Sequence, residues 1–366
     1  MIRGSNFCPL ECPIYYEPII HSIGVVSTIC NLFGIYLTLT KSKKNTNYRF
    51  CQLYVQITAL ITEIDLSIIN PAYFFFPMIG GMNCGVMREF QVKYGVTSHI
   101  CITFFAFIFC MQVPALLTCF MYRHQAAAKC SPDKAWSLSK LHSISLLFVY
   151  HAFPVIIAFS LYHSGLSMEQ KEISIIENYP DCYPSLQDFT FDFYDYKENS
   201  TFVAFGILIS VYYVMAGVIG FGLAWRTGQV LNRYRYIMSA RTYQLHKSSM
   251  ITLTTQVTGP ALVLGIPVFA VYVVVASQLA QLHALAATAP FFICMHSAVT
   301  TGCLIMTTAT FKNFVTKKYE EFKEKLPCKK SRPTFVAVTS PCPMAIEVPS
   351  ALHIIVHPPR VTNIYY

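Results

Sequence analysis

The chain has 366 residues, of which 54% are hydrophobic and only 12% charged, with a formal net charge of +9. Soluble domains carry about 25% charged residues, so this charge cannot clothe the two water-facing domains that the length alone would allow. The composition excludes an ordinary soluble protein and predicts one bundle whose outer face meets lipid. The 23 Tyr and 28 Phe suit lipid-facing helices and interfacial belts.

A membrane helix needs ~20 apolar residues. Long charge-free runs supply them, including 64 residues from Ser248 to Phe311. That run is far too long for one crossing at ~1.5 Å per residue, and the patch Gln278, Gln281 and His283 marks where it turns back. Seven spans result, at about residues 19–40, 51–75, 94–121, 141–162, 202–225, 250–275 and 285–309. The fold class predicted is an all-α membrane protein, a seven-transmembrane helix bundle. Pro71, Pro114, Pro154, Pro260, Pro267 and Pro290 fall inside spans, which membrane helices tolerate when neighbouring side chains satisfy the freed backbone groups.

Lys and Arg set the orientation. With loops 41–49, 122–140 and 226–247 and the tail 311–366 on one side, that side holds 22 of the 27 basic residues. The positive side is cytoplasmic, so the N-terminus lies outside and the C-terminus inside. The first apolar run is too long for a signal peptide, and its positive charges follow it rather than precede it. The expected organisation is an extracellular N-terminus (1–18), a receptor-like bundle (19–310), an amphipathic juxtamembrane helix (311–325) and a disordered tail (326–366). The helix is read from Phe311, Phe314, Val315 and Phe322, which share one face. The tail is read from its seven prolines.

No Gly-rich phosphate loop, metalloprotease His pair or nucleophile elbow is present, so no enzyme, cofactor or nucleic-acid role is expected. His142 and His151 share a span but point to opposite faces, and no metal site is expected. Of 14 Cys, Cys8, Cys12, Cys84 and Cys182 fall on the outer, oxidising side. Four cysteines allow three full pairings. A Cys84–Cys182 bridge would pin the large outer loop 163–201 over the bundle mouth. The alternatives are that Cys182 pairs with the N-terminal segment, or that none pair. Asn199-Ser-Thr201 is a glycosylation sequon on the outer side.

Glu63 and Asp65 lie inside the second span, where acids are costly and face the bundle interior. Two residues apart, they cannot face one point. Glu63 is expected to accept a structural hydrogen bond from a neighbouring helix; Asp65 is the candidate polar switch. The third span ends at Arg123, where an arginine could snorkel to lipid phosphates or serve a partner.

The chain resembles the nematode serpentine chemoreceptors, in the class I and class H branch. The residues that carry the likeness are Cys12-Pro-Ile-Tyr-Tyr16, His21-Ser-Ile-Gly24, Phe33-Gly-Ile-Tyr-Leu37 and the Lys41-Ser-Lys43 turn. They continue with Cys119-Phe-Met-Tyr-Arg-His-Gln125, Ser239-Ala-Arg-Thr-Tyr-Gln-Leu-His-Lys247 leading to Gln256, and His296-Ser297. The chain departs from the pattern at Thr310-Phe-Lys-Asn313, where a Pro-Tyr-Arg-like exit is expected. The resemblance implies a G-protein-coupled receptor in the plasma membrane of sensory neuron cilia, whose partners are a small odorant or pheromone and a heterotrimeric G protein. It implies coupling through Arg123, His124, Arg241 and Lys247 at the inner end. A pocket between the upper halves of spans three, five, six and seven would be lined by His99, Thr103, Phe107, Tyr212, Tyr272, Phe292 and His296. A hinge near Pro260 and Pro267 would let the sixth helix swing. The rival class, a transporter or ligand-gated channel, predicts internal repeats or a charged pore; neither is visible.

Overall fold

The computed structural model describes residues 8–9, 11–42, 47–133 and 136–325. The expected disordered tail, 326–366, lies outside the described residues. Seven helical segments are long and apolar enough to cross a membrane. They are α1 (Tyr16–Lys41), α2 (Asn47–Ile64) with its π-helical extension Asp65–Ile69, the pair α4 (Ser98–Cys110) and α5 (Gln112–Ala128), α6 (Lys140–Tyr162), α8 (Ser200–Arg233), α9 (Ala240–Ser277), and α10 (His283–Ala286) with α11 (Ala289–Thr307). Between them lie β1 (Ala72–Phe74), β2 (Ile79–Asn83), α3 (Met87–Tyr94), α7 (Met168–Asn178) and β3 (Phe191–Tyr194). After α11 comes α12 (Ala309–Lys325). The first compact unit ends at Glu320, and only the helical residues 321–325 of the second are described.

The sequence reading carried the second span through residue 75. The helix instead stops at Ile69, before Pro71, and the chain turns into a three-stranded antiparallel sheet in the order β1-β2-β3. Tyr73 pairs with Met82 and Gly81 with Asp192. The sheet recruits two segments read as loops, and its apolar side packs on the bundle. Phe75, Met78, Met82, Phe191 and Phe193 form one buried cluster with Tyr16 and Ile20 of α1 and Cys294 of α11. One end of the bundle is therefore capped. Tyr16 is fully buried there and donates its hydroxyl to the Ala72 carbonyl at 2.6 Å.

Two disulfides tie the N-terminal segment to this cap: Cys8–Cys182, with Cα atoms 5.2 Å apart, and Cys12–Cys84, at 5.9 Å. The Cys84–Cys182 pairing is thus corrected. All four cysteines lie at the same end, but each loop cysteine bridges the N-terminal segment. Pairing Cys12 with Cys84, two residues from the paired Tyr73–Met82 register, holds the start of α1 against β2.

At the opposite, open end, α8 and α9 run long. The 38 residues of α9 span about 57 Å, well beyond the ~30 Å of hydrocarbon. Close helix approach uses small residues, as is usual without a hydrophobic driving force. At Gly34 of α1, an added Cβ would lie 2.7 Å from Thr301 Cγ2 and 2.8 Å from Gln56 Oε1. Phe311 of α12 is buried against Leu37 and Leu304, with Phe314 and Val315 alongside.

The pairing makes a double-mutant cycle decisive. Cys12→Ser and Cys84→Ser should each lower thermal stability, and the double variant should be no worse than either single. Cys84→Ser combined with Cys182→Ser should instead show nearly additive losses, because they break different bridges. Each bridge closes a long loop (72 and 174 residues apart), worth about 2–4 kcal/mol. Thermal unfolding in detergent checks it, and non-additivity of the 84/182 pair would restore the other pairing.

Candidate functional site

Prolines set the central geometry. Pro114 has no N–H to give to the Cys110 carbonyl four residues back, and Pro154 leaves the Tyr150 carbonyl in the same state. In hydrocarbon no water is at hand to satisfy them. Tyr212 of α8 answers both. Its hydroxyl lies 3.2 Å from the Cys110 oxygen and 3.2 Å from the Tyr150 oxygen. Its ring stacks on Phe153 and tilts against Tyr150. Tyr212 was expected to line a ligand pocket; it is instead 2% exposed, and its one hydroxyl proton is shared between two backbone acceptors. The missed signal was legible, since each proline points to an orphan carbonyl four residues earlier.

The third span has a different phase from the one expected. His99, Thr103 and Phe107 share one face by helix spacing. His99 points away from the bundle centre: its Nε2–H donates to the Tyr162 carbonyl at 2.8 Å, and its Nδ1 lies 2.7 Å from the Tyr194 hydroxyl. It thereby joins α6 to β3 beside the buried Lys171–Asp192 ion pair, 2.6 Å. Thr103 spends its hydroxyl on the His99 carbonyl. The interior face carries Phe105, Phe109 and Gln112 instead, about half a turn away. Phe109 stacks on Phe105 and meets His296 edge to face. Tyr272 is 68% exposed on α9, and Phe292 is exposed on α11. Both face outward, so the structure does not bring them to a central pocket.

His296 does reach the centre and is 1% exposed. Its Nδ1–H donates to the Ile293 carbonyl at 2.6 Å, which fixes a neutral tautomer whose Nε2 accepts from Gln112 at 3.2 Å. Gln112 also donates to Thr62 of α2. Around this pair α2 presents a polar stripe. Ser297 donates to Glu63 at 2.7 Å, the structural role expected for that acid. Thr301 lies between Gln56 Oε1 and Asn31 Oδ1, at 2.9 and 3.1 Å. Gln52 donates to Gln256 of α9 and to the Tyr48 hydroxyl. Glu63 Oε1, Asn31 Nδ2 and Gln56 Nε2 are buried and have no hydrogen-bond partner among the described residues. Asp65 lies nearer the cap, buried, and accepts from Asn70 at 2.9 Å. Among the described residues no three His, Cys, Asp or Glu converge as metal ligands.

At the open end the guanidinium carbon of Arg123 sits 3.3 Å from the Tyr48 ring centroid, a cation–π stack between spans three and two. Arg123 Nε has no partner among the described residues. His124 is fully buried and lies on a different side. Its Nε2–H donates to the Trp136 carbonyl, and its Nδ1 lies 3.1 Å from Thr227 Oγ1. It staples the loop before α6 to α8, and its burial removes it from any docking surface. Arg241 and Lys247 are exposed on the first turns of α9. Their helix starts at Ser239, whose Oγ accepts from the Thr242 N–H, so the Ser-x-x-Thr part of that motif is an N-cap. Asn199 likewise N-caps α8, accepting from Phe202 N–H at 3.0 Å, and its Nδ2 donates to the Ser164 carbonyl at 2.7 Å. The sequon asparagine thus also starts a helix.

Seven spans, a disulfide-tied cap and an arginine at the open end of span three define a seven-helix receptor fold of the rhodopsin type. The chain is similar to squid rhodopsin, with a TM-score of 0.50 and 12% identity over 87% of this chain and 90% of that one. The family model for serpentine-type seven-transmembrane G-protein-coupled chemoreceptors of the Sri class matches residues 6–315, and the chain belongs to that family. No curated protein matches it.

Tyr212→Phe tests the proline reading. It removes one oxygen from a packed ring and leaves two carbonyls unanswered, so a loss of about 1–3 kcal/mol in stability is expected. Thermal unfolding in detergent measures it; an unchanged melting temperature would show that the hydroxyl is dispensable.

Proposed function

We propose that this chain is a plasma-membrane chemosensory receptor that binds a small odorant or pheromone and activates a heterotrimeric G protein at its open end. The observation that carries the reading is the Arg123–Tyr48 stack at that end, within a chain of the chemoreceptor family. Sensory cilia are the location that the family's chemosensory role favours.

The orientation proposed is capped end outside, open end inside. Two independent features support it. The loops 41–49, 122–140 and 226–247 and the tail 311–366, read from the sequence as one side, hold 22 of the 27 basic residues, and both disulfides lie at the capped end, as an oxidising exterior requires.

The ligand site proposed is the central level at His296 and Gln112, bounded by Phe105 and Phe109. An acceptor on the ligand would compete for the Gln112 amide, and the aromatic rings would take its apolar part. The sheet over the mouth favours molecules that partition into the membrane. On activation, an outward swing of α9 near Pro260 and Pro267 would open a cleft beside Arg123, with Arg241 and Lys247 at the start of α9. Arg123 offers a planar fork of donors suited to helix-end carbonyls of a docked G-protein helix. Asp65, tied to the cap through Asn70, stays a proposed polar switch.

The test uses reporter cells carrying G proteins and a panel of volatile and water-soluble compounds. Once a response is found, Arg123→Ala should abolish it at matched surface levels. Arg123→Lys should also be clearly impaired, because an ammonium cannot stack its plane on Tyr48. Undiminished responses from Arg123→Ala would remove the coupling role, and normal responses from Arg123→Lys would reduce the residue to a snorkelling charge.

A further inference from the structure

Both tryptophans of the chain, Trp136 and Trp225, lie in one cleft of about 540 Å³ at the open end of the bundle. The cleft runs along α8 and is lined by Arg226, Gln229 and Arg233, with Gly222 at its upper edge and Asp133 also in it. Two arginines against one acid leave it net positive. The far wall is fixed, because the buried His124 holds the Trp136 carbonyl at 3.1 Å. The Arg226 guanidinium carbon lies 5.9 Å from the Trp136 ring centroid.

The same stripe of α8 continues toward the capped end as Val218, Met215 and Val211, at steps of three and four residues. All three are exposed and apolar. A single helical face thus reads, in order, apolar track, glycine gap, tryptophan, arginine, glutamine, arginine. That is the profile of a lipid standing upright, with acyl chains above and headgroup below. Tryptophan favours the interfacial level between the two. Arg226 and Arg233 are two helical turns apart, about 10.5 Å along the axis. One phosphodiester cannot fill both guanidinium forks, whereas a headgroup with a diester phosphate and further ring phosphates can.

We propose that this cleft binds a phosphoinositide, a phosphorylated inositol lipid of the inner leaflet. The leaflet rests on the orientation given under the proposed function; the binding chemistry does not. Gly222, just above the tryptophan level, is where the lipid's glycerol region would pass, because a Cβ added there meets nothing within 4 Å.

The two tryptophans make intrinsic fluorescence a direct reporter. The full chain in phosphatidylcholine nanodiscs, which expose both leaflets, is titrated with dioctanoyl phosphatidylinositol bisphosphate, dioctanoyl phosphatidylserine or free inositol trisphosphate. A saturable change is expected with the first, at a midpoint roughly tenfold or more below that of the other two. Arg226→Gln with Arg233→Gln should raise that midpoint roughly tenfold or more. Gly222→Leu, which fills the cleft from open space and leaves both arginines, should do the same. If the arginine variant fails to fold, the Gly222 variant decides. Equal response to phosphatidylserine would reduce the cleft to a general anionic surface. Equal response to inositol trisphosphate would make the ligand a soluble anion. No saturable change with any probe, or an unaltered titration in Gly222→Leu, would overturn the site. None of these readouts involves signalling, so failure here leaves the receptor reading to its own test.

Discussion

Backbone hydrogen bonding in hydrocarbon is the constraint on which the rest of this structure depends. A helix broken by proline in water is answered by solvent; in the bilayer the answer must come from the protein. Tyr212 gives it for two helices at once, and this locks α8 to α4 and α6. His21 does similar work at the cap, where its Nδ1 donates to the Ser67 carbonyl four residues before Pro71. The same rule decides which polar residues are committed to structure. His99, Thr103, His124 and Asn199 each commit a donor to a backbone carbonyl.

The two ends of the bundle solve different problems. At the capped end, two disulfides, a sheet and the Lys171–Asp192 pair hold the N-terminal segment and the long loop to the helices. The phenol of Tyr194 is pushed well above its ordinary range there by burial and by Asp192, so it stays a neutral donor beside His99. At the open end α8 and α9 run long, and arginines rest on aromatic rings.

Much of this was legible in the residues. Charge-free runs located all seven spans, although the third and fifth run seven and eight residues past their predicted ends and the sixth starts ten residues early, and the acid at position 63 found the Ser partner that its burial demanded. The misses have physical causes. Residues 72–75 are as apolar as the helix they follow, so hydropathy ran them into the span; periodicity cannot separate a short buried strand from a buried helix. Pro71 and the Gly80-Gly81 pair were the available signals. The third span is apolar on nearly every side, and a helix without a polar face carries no phase information. The pocket residues were consequently placed half a turn off, and Gln112, a lone amide in that span, was the marker overlooked. The cysteine partners depended on the sheet, because only β2 brings Cys84 beside the N-terminal segment.

The polar stripe of α2 runs from the central level toward the open end. Tyr48, Gln52 and Gln56 recur every four residues, so one helical face meets α11 and α9 in turn. Thr301 of α11 bonds Gln56, and Gln256 of α9 accepts from Gln52. Gln52 also donates to Tyr48, whose ring carries Arg123. Any outward displacement of α9 at Gln256 breaks its bond with Gln52 and leaves that amide to Tyr48 alone. Gln256 lies four residues before Pro260, so the helical turn that must give at that proline is the turn bonded to α2. One amide is thus shared between α9 and the tyrosine that carries Arg123, so a change on one side reaches the other without any part of α5 having to move.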